Sequence, residues 1–288
     1  TPKTSSAASD VYKRQGVNTV ATDWRRSVNS NAHLGHGGHN VDGVKTGDIT
    51  IDTGLVGNGD IFFRSGDQAN NYAMLGHGGR NADGNVTAPI TVNANNGNII
   101  FDARGTGAAA VVDNNKNDAF VHLGHGGTNA RGDHSGQIEV NADGNLQFFS
   151  MDKVAANAGL DERGYAMLGH GGYDADGPNN NTAKGNDGNI LVDVGGSIDF
   201  DAGSSRIAFV QLGHGGYDTR GAHGLAGERI DVEAGGDINF SSGVATNGRM
   251  FRSYSQLGHG GYTANGAHQG DILVETTNGA INFKGGNT

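Results

Sequence analysis

Two short segments in which apolar and polar residues alternate recur six times along the chain. The first has the form Ile-x-Val or Ile-x-Ile and begins at Ile49, Ile90, Ile138, Ile190, Ile230 and Ile272. The second has the form Ile-x-Phe, with Leu in one copy, and begins at Ile61, Ile99, Leu146, Ile198, Ile238 and Ile281. An apolar period of two is typical of a short strand with one buried face. Each copy therefore predicts two short strands.

A third recurring segment contains the pentapeptide Leu-Gly-His-Gly-Gly. It begins at Leu34, Leu75, Leu123, Leu168, Leu212 and Leu257, at intervals of 41, 48, 45, 44 and 45 residues. Intervals of this length are typical of solenoids and propellers. The residue two positions before the leucine is small or apolar in all six copies and should share its inward face. This segment predicts a third strand in each repeat.

Aromatic side chains precede the leucine by three positions in five copies and should point away from the interior. They are Tyr72, Phe120, Tyr165, Phe209 and Tyr254. An exposed row of this kind offers a surface for stacking on sugar rings, whereas a covered row forms a second apolar layer outside the strands. We favour the covered arrangement.

Three strands per repeat, separated by glycine turns, favour an all-β fold: a right-handed parallel β-helix (β-solenoid) of six repeats of about 45 residues with three short strands each. A propeller needs four antiparallel strands per blade, and no reliable fourth strand is found. One repeat is taken as one coil, with two coils per repeat as the open alternative. The glycine two positions before the Ile-x-Phe strand is expected to need φ > 0: Gly59, Gly97, Gly144, Gly196, Gly236 and Gly279.

Composition limits the classes of function. The 288 residues include 52 Gly and no Cys, and the net charge of −10 makes nucleic acid an improbable partner. No apolar run approaches the roughly 18 residues of a membrane span. Residues 1–15 resemble a translated adapter remnant or a disordered segment. Residues 16–288 are expected to form a single solenoid domain, cut at both ends from a longer protein.

The histidine of the pentapeptide occupies the same repeat position in all six copies: His36, His77, His125, His170, His214 and His259. One hypothesis is a metal-binding or proton-conducting row. The favoured hypothesis is a structural ladder of stacked imidazoles that hydrogen-bond corner carbonyls, because metal sites use mixed and geometrically specific ligand shells. An identical residue in every coil also argues against catalysis, which needs one asymmetric constellation. No cofactor is expected.

A polar turn with Asn or Asp follows the pentapeptide in five copies: Asn40, Asn81, Asn129, Asp174 and Asp218. Such side chains cap their own backbone and tolerate the left-handed conformation, so a ladder of turns is the favoured interpretation. Tyr173–Gly177 resembles a calcium loop only in part, since the remaining ligands are missing. Asp174 and Asp176 are retained as weak calcium candidates.

A carbohydrate-active enzyme on a pectin-lyase-like β-helix is the alternative function. Its residues would come from two long loops, 102–119 and 150–164, that fall at one corner of adjacent coils and could wall a groove. Their charged residues are Asp102, Arg104, Asp113, Asp118, Asp152, Lys153, Asp161, Glu162 and Arg163. No pair of carboxylates stands out by spacing, so the chain is expected not to be an enzyme.

The pattern LGHGGY…G-x-I-x-V…GG-x-I-x-F, with dense Gly and Asn and no Cys, resembles filamentous-haemagglutinin-like proteins, and similar repeats occur in autotransporter passengers. The resemblance covers about residues 16–288. It implies a bacterial exoprotein of the two-partner secretion type, exported through an outer-membrane partner to the cell surface or the medium. It also implies roles in adhesion, aggregation or biofilm, with host-cell or matrix glycans or proteins as partners.

Overall fold

A computed structural model describes residues 11–14, 30–66, 70–104, 118–152, 163–177, 185–205, 207–243 and 252–286. All regular structure in these residues is β, and every pairing between strands is parallel. Five stacked sheets run along the molecule, and each coil contributes one strand or bridge to each of them. The parallel β-solenoid is confirmed; its right-handed sense stays a prediction.

Three sheets hold the three predicted strands. The Leu sheet, which precedes the pentapeptide glycines, consists of β2 (Asn31–Leu34), β6 (Tyr72–Leu75), β11 (Ala119–Leu123), β16 (Arg163–Leu168), β21 (Ile207–Leu212) and β25 (Tyr254–Leu257). The Val sheet consists of β4 (Ile49–Thr53), β9 (Ile90–Ala94), β14 (Ile138–Ala142), β19 (Ile190–Val194), β23 (Arg229–Ala234) and β26 (Asp271–Thr276). The Phe sheet consists of β5 (Ile61–Arg64), β10 (Ile99–Asp102), β15 (Leu146–Phe149), β20 (Ile198–Asp201), β24 (Ile238–Ser241) and β27 (Ile281–Lys284).

Two further sheets of very short strands lie between the Leu and Val sheets. The Gly sheet consists of β3 (Gly37–His39), β7 (Gly78–Arg80), β12 (Gly126–Thr128), β17 (Gly171–Tyr173) and β22 (Gly215–Tyr217). The short sheet consists of β8 (Val86–Thr87), β13 (His134–Ser135) and β18 (Asn186–Asp187). Residues 11–14 belong to the N-terminal segment 1–15, which was expected to lie outside the solenoid domain. They form β1 (Val11–Arg14), which pairs with β5.

Each repeat is one coil. Leu75 pairs with Leu34 on one side and with Leu123 on the other, so strands of consecutive repeats are direct neighbours. A repeat of two coils would place an unrelated strand between them. A propeller is also excluded, because its blades pair antiparallel strands within one repeat.

Identical side chains stack along the interior. Each inward Ile, Val, Phe, Leu and Ala of the middle coils is almost fully buried and belongs to one continuous core. The phenylalanine rings of the Phe sheet stack face to face from Phe63 to Phe283, with centroids 4.7–5.0 Å apart. This spacing is the distance between neighbouring strands in a sheet, so the register of the backbone sets the packing of the core.

Glycine is required at the coil corners for two different reasons. Gly76 in the pentapeptide has φ +145°, and a Cβ there would overlap the carbonyl oxygen of Gly124 in the next coil. The prediction of φ > 0 before the Ile-x-Phe strand was wrong, since none of those six glycines adopts it. At Gly97 the reason is close approach, because a Cβ would overlap the backbone of Gly59 and Asp60.

The aromatic row before the pentapeptide is covered, as expected. Tyr72, Phe120, Tyr165 and Phe209 are buried and stack at 4.6–4.8 Å in a second apolar cluster. The Gly sheet of the same coils supplies part of the cover, because a Cβ at Gly172 would lie 2.8 Å from the Tyr165 hydroxyl. The glycines of the pentapeptide therefore also make room for this layer.

Candidate functional site

The pentapeptide histidines form one continuous stack through the solenoid. Neighbouring rings are 4.7–5.1 Å apart and nearly parallel. The backbone N–H of each histidine donates to Nδ1 of the histidine in the next coil, at 2.8–3.3 Å. Strand pairing in the Leu and Gly sheets on either side fixes this register. The rings are thus held by the backbone as well as by one another.

The second ring nitrogen is satisfied as well. Nε2 of His77, His125, His170 and His214 lies 2.7–2.9 Å from a backbone carbonyl oxygen at the corner before the Val sheet. Because Nδ1 accepts a hydrogen bond, the proton of a neutral ring must reside on Nε2. Burial lowers the pKa of these histidines, to about 3 at His214. The arrangement holds neutral imidazoles and leaves their nitrogens no lone pair for a metal.

A second row, polar in five of its six positions, occupies the short sheet and was missed by the sequence reasoning. It consists of Lys45, Val86, His134, Asn186, His223 and His268. His134, Asn186 and His223 are fully buried. His134 Nδ1 lies 3.0 Å from Asn186 Oδ1, and burial lowers the pKa of His134 to about 4. The signal was available, because three of these histidines follow the pentapeptide leucine by eleven positions.

The polar turn after the pentapeptide forms an outward groove of about 460 Å³. Its five Asx residues and Thr263 have φ between 50° and 57°, which confirms the left-handed conformation. Asn129 donates its amide to Asn81 and Asn81 to Asn40, at 3.1 and 3.0 Å. Asp83 accepts from the backbone N–H of Arg131. The groove therefore offers a regular array of amide and carboxylate groups along the coils.

The two calcium candidates lie at this turn but face cationic neighbours. Burial raises the pKa of Asp174 and of Asp176, while Arg131 and Arg220 lower both. Asp176 is almost fully buried, and Arg131 and Asp176 form a parallel bridge. No group of three or more His, Asp or Glu suited to a metal ion occurs among the described residues. The geometry favours the ladder of turns.

A second groove, of about 800 Å³, crosses the outer face of the Phe sheet. Asp199 accepts hydrogen bonds from Gln147 and Asn239 on the neighbouring coils. Burial, followed by the charge of Asp152, raises the pKa of Asp201. This groove combines carboxylates and amides with apolar side chains, which include the rings of Phe149 and Phe283. Such a combination is suited to hydroxyl-rich ligands.

Four of the charged loop residues that the structure describes belong to two ion-pair networks. Asp102 is buried and pairs with Arg64 and Arg104, and Arg104 lies 3.6 Å above the Phe149 ring. Asp118 pairs with Arg80 and with Arg163, at 2.9 and 3.0 Å, and so links three successive coils. Asp152 approaches Asp201 instead. The remaining candidates, Asp113, Lys153, Asp161 and Glu162, lie outside the described residues.

The described part of the chain contains no helix with the length and apolar character needed to cross a membrane. No protein-family model, no curated protein and no solved structure matches the chain.

Proposed function

We propose that the chain is the structural repeat region of a large bacterial adhesin, secreted or exposed at the cell surface, and that it serves as a shaft in adhesion, aggregation or biofilm. The observation that carries the proposal is the equivalence of the coils. The inward side chains are the same or closely similar at each position in successive coils, whereas the outward side chains vary. A solenoid of this kind is stabilised by interfaces between neighbouring coils and grows by adding coils, which suits a spacer.

The outward rows supply the adhesive chemistry of the proposal. The groove of Asn40, Asn81 and Asn129 repeats one amide per coil in the first three coils. Repeated weak contacts gain avidity when ligand groups recur at a matching spacing. Glycans or proteins of a host cell or matrix are the proposed partners, and the resemblance to two-partner secretion exoproteins favours an outer-membrane transporter during export.

Localisation tests the proposal directly. An antiserum raised against this chain should label the full-length protein on intact producing cells or in their culture medium. Deletion of the coding sequence should reduce adhesion or aggregation, and re-expression should restore it. Full-length protein confined to the cytoplasmic fraction would overturn the proposal.

A carbohydrate-active enzyme remains the second candidate, and the groove on the Phe sheet is the observation in its favour. Asp201, with its raised pKa, and Asp199 lie there on one strand. A carboxyl with a raised pKa can act as a general acid. Incubation with neutral and acidic polysaccharides should then release reducing ends, and Asp201→Asn should abolish the release. Lack of product from every polysaccharide would remove this candidate.

A further inference from the structure

Histidines are concentrated in the interior of the solenoid. Of the twelve in the chain, seven are buried: His77, His122, His125, His134, His170, His214 and His223. They occupy three rows, namely the pentapeptide row, the short-sheet row and the position before the pentapeptide leucine. Imidazole changes charge near pH 6.5, so each buried ring couples folding to protons.

The pentapeptide row accepts only neutral rings. A backbone N–H already points at Nδ1 of each of the five rings beyond the first coil. A proton on Nδ1 would place its N–H against the backbone N–H of the preceding coil. The hydrogen bond between the two coils would then be lost. Two adjacent imidazolium rings would also face each other at about 5 Å. Protonation therefore acts on the coil-to-coil interface itself.

The surroundings offer these rings little compensating negative charge. The titratable groups whose charges act on His77, His125, His170 and His214 are other histidines and Lys45, and these charges lower the pKa. The hydrogen bond from each ring to a backbone carbonyl raises the pKa but does not outweigh burial. His122 faces His134 and His33, and His223 faces His268 and His259. Among these rings only His134 has carboxylates nearby, since Asp133 and Asp83 raise its pKa. Burial, which has the larger effect, and the charge of Lys45 lower it.

We propose that the buried histidines make the solenoid an acid-release device: its coils stay stacked at neutral pH and separate when the medium becomes mildly acidic. This proposal concerns regulation of the fold, so it stands or falls separately from the adhesin proposal.

The sign follows from the depressed pKa values. The pKa is about 4 for His122 and His134 and about 3 for His214 and His223, against 6.5 in the unfolded chain. Below pH 6.5 the unfolded chain binds protons that the folded chain refuses, so stability is full above pH 6.5 and falls toward pH 4. Each such histidine raises the unfolding equilibrium constant about tenfold per pH unit. These four together raise it about 10⁴-fold per unit.

The chain itself supplies neutral replacements for three of these histidines. Met74 and Met167 flank His122 in its row, Val86 precedes His134, and Asn186 precedes His223. The triple variant His122→Met, His134→Val, His223→Asn therefore keeps residues that this fold already accepts. The control is His39→Thr, at the partly exposed end of β3, where the equivalent position two coils away is Thr128.

Urea unfolding followed by circular dichroism at steps between pH 7.5 and 4.5 tests the proposal. Near pH 5 we expect the wild-type chain and the control to take up at least four protons on unfolding, and the triple variant to take up about three fewer. The decisive quantity is the difference in proton uptake between the triple variant and the control. The pKa values of Asp174, Asp176 and Asp201 are raised, so these carboxyls stabilise the folded chain as the pH falls and offset part of the histidine effect equally in both variants.

Equal slopes in the triple variant and the control would overturn the proposal, as would a wild-type stability independent of pH from 7.5 to 5. NMR of the native wild-type chain gives a test that needs no variant to fold. The ring protons of the seven buried histidines should keep their neutral shifts at pH 5 until the chain unfolds. Buried rings that titrate near pH 6.5 in the native chain would equally refute it.

Discussion

Removal of one phenylalanine ring from the middle of the core should cost far more than removal of its counterpart in the last coil. Phe148 is fully buried and stacks on Phe101 and Phe200, at 4.7 and 4.8 Å. Phe283 occupies the same row but is 58% exposed and has one ring neighbour, at 5.0 Å. The pair thus isolates the effect of being stacked on both sides.

The magnitudes follow from burial and ring contacts. Phe→Ala in a packed core destabilises by about 3–5 kcal/mol through lost burial and the cavity left behind. Each lost aromatic pair adds about 0.5–1.5 kcal/mol. For Phe148→Ala, with two pairs lost, we expect about 5 kcal/mol. For Phe283→Ala the ring is half exposed and leaves no closed cavity, so we expect about 1 kcal/mol.

Urea unfolding at neutral pH, followed by circular dichroism, measures both values. Gln147→Ala is the matched control, since Gln147 lies on the same strand with its side chain on the outer face. Its hydrogen bond to Asp199 predicts a loss below about 1 kcal/mol. Losses for the two phenylalanine variants that agree within about 1 kcal/mol would refute the stacked-core reasoning.

Three other predictions address the corners, the ion pairs and the turn. Gly169→Ala should abolish cooperative unfolding in a thermal scan, since its Cβ would overlap the next coil, whereas Gly43→Ala, with open space around it, should cost only about 1 kcal/mol of backbone strain; equal melting temperatures would contradict this. Asp118→Ala should lower the free energy of unfolding by about 2 kcal/mol in urea, because it leaves two arginines without their shared carboxylate; an unchanged midpoint would show that the network is not stabilising. Millimolar calcium should leave the melting temperature unchanged, and a rise that is lost in the double variant Asp174→Asn, Asp176→Asn would contradict the assignment of a ladder of turns.

The periodic part of the fold could be predicted from the sequence because it depends on local alternation repeated at a fixed interval. Ile138 and Val140, for example, both fall on the inward face and pair with identical residues above. Phe120 and Val121 are neighbours in one strand and point to opposite faces, so the alternation also places Phe120 outside the main core. In each case the side-chain period of two decides which face a residue occupies.

The corners could not be predicted in the same way, since they depend on contacts between residues about 40 positions apart. Gly97 is required by the backbone of the previous coil, and a single coil carries no sign of that approach. The Gly sheet was missed because strands of Gly-Gly-x have no apolar period. His134 was missed because an isolated polar residue in a turn resembles a solvated one, although it is fully buried.

The corner glycines restrict how this molecule can be altered. At Gly124, for example, the space that a side chain would need is taken by the carbonyl of Gly169, and the same holds from coil to coil. A coil can therefore be grafted or deleted only as a unit that carries its own pentapeptide, and its new neighbours must carry one too. Engineered rods built from this chain should change in length by whole coils, in increments of about 4.8 Å.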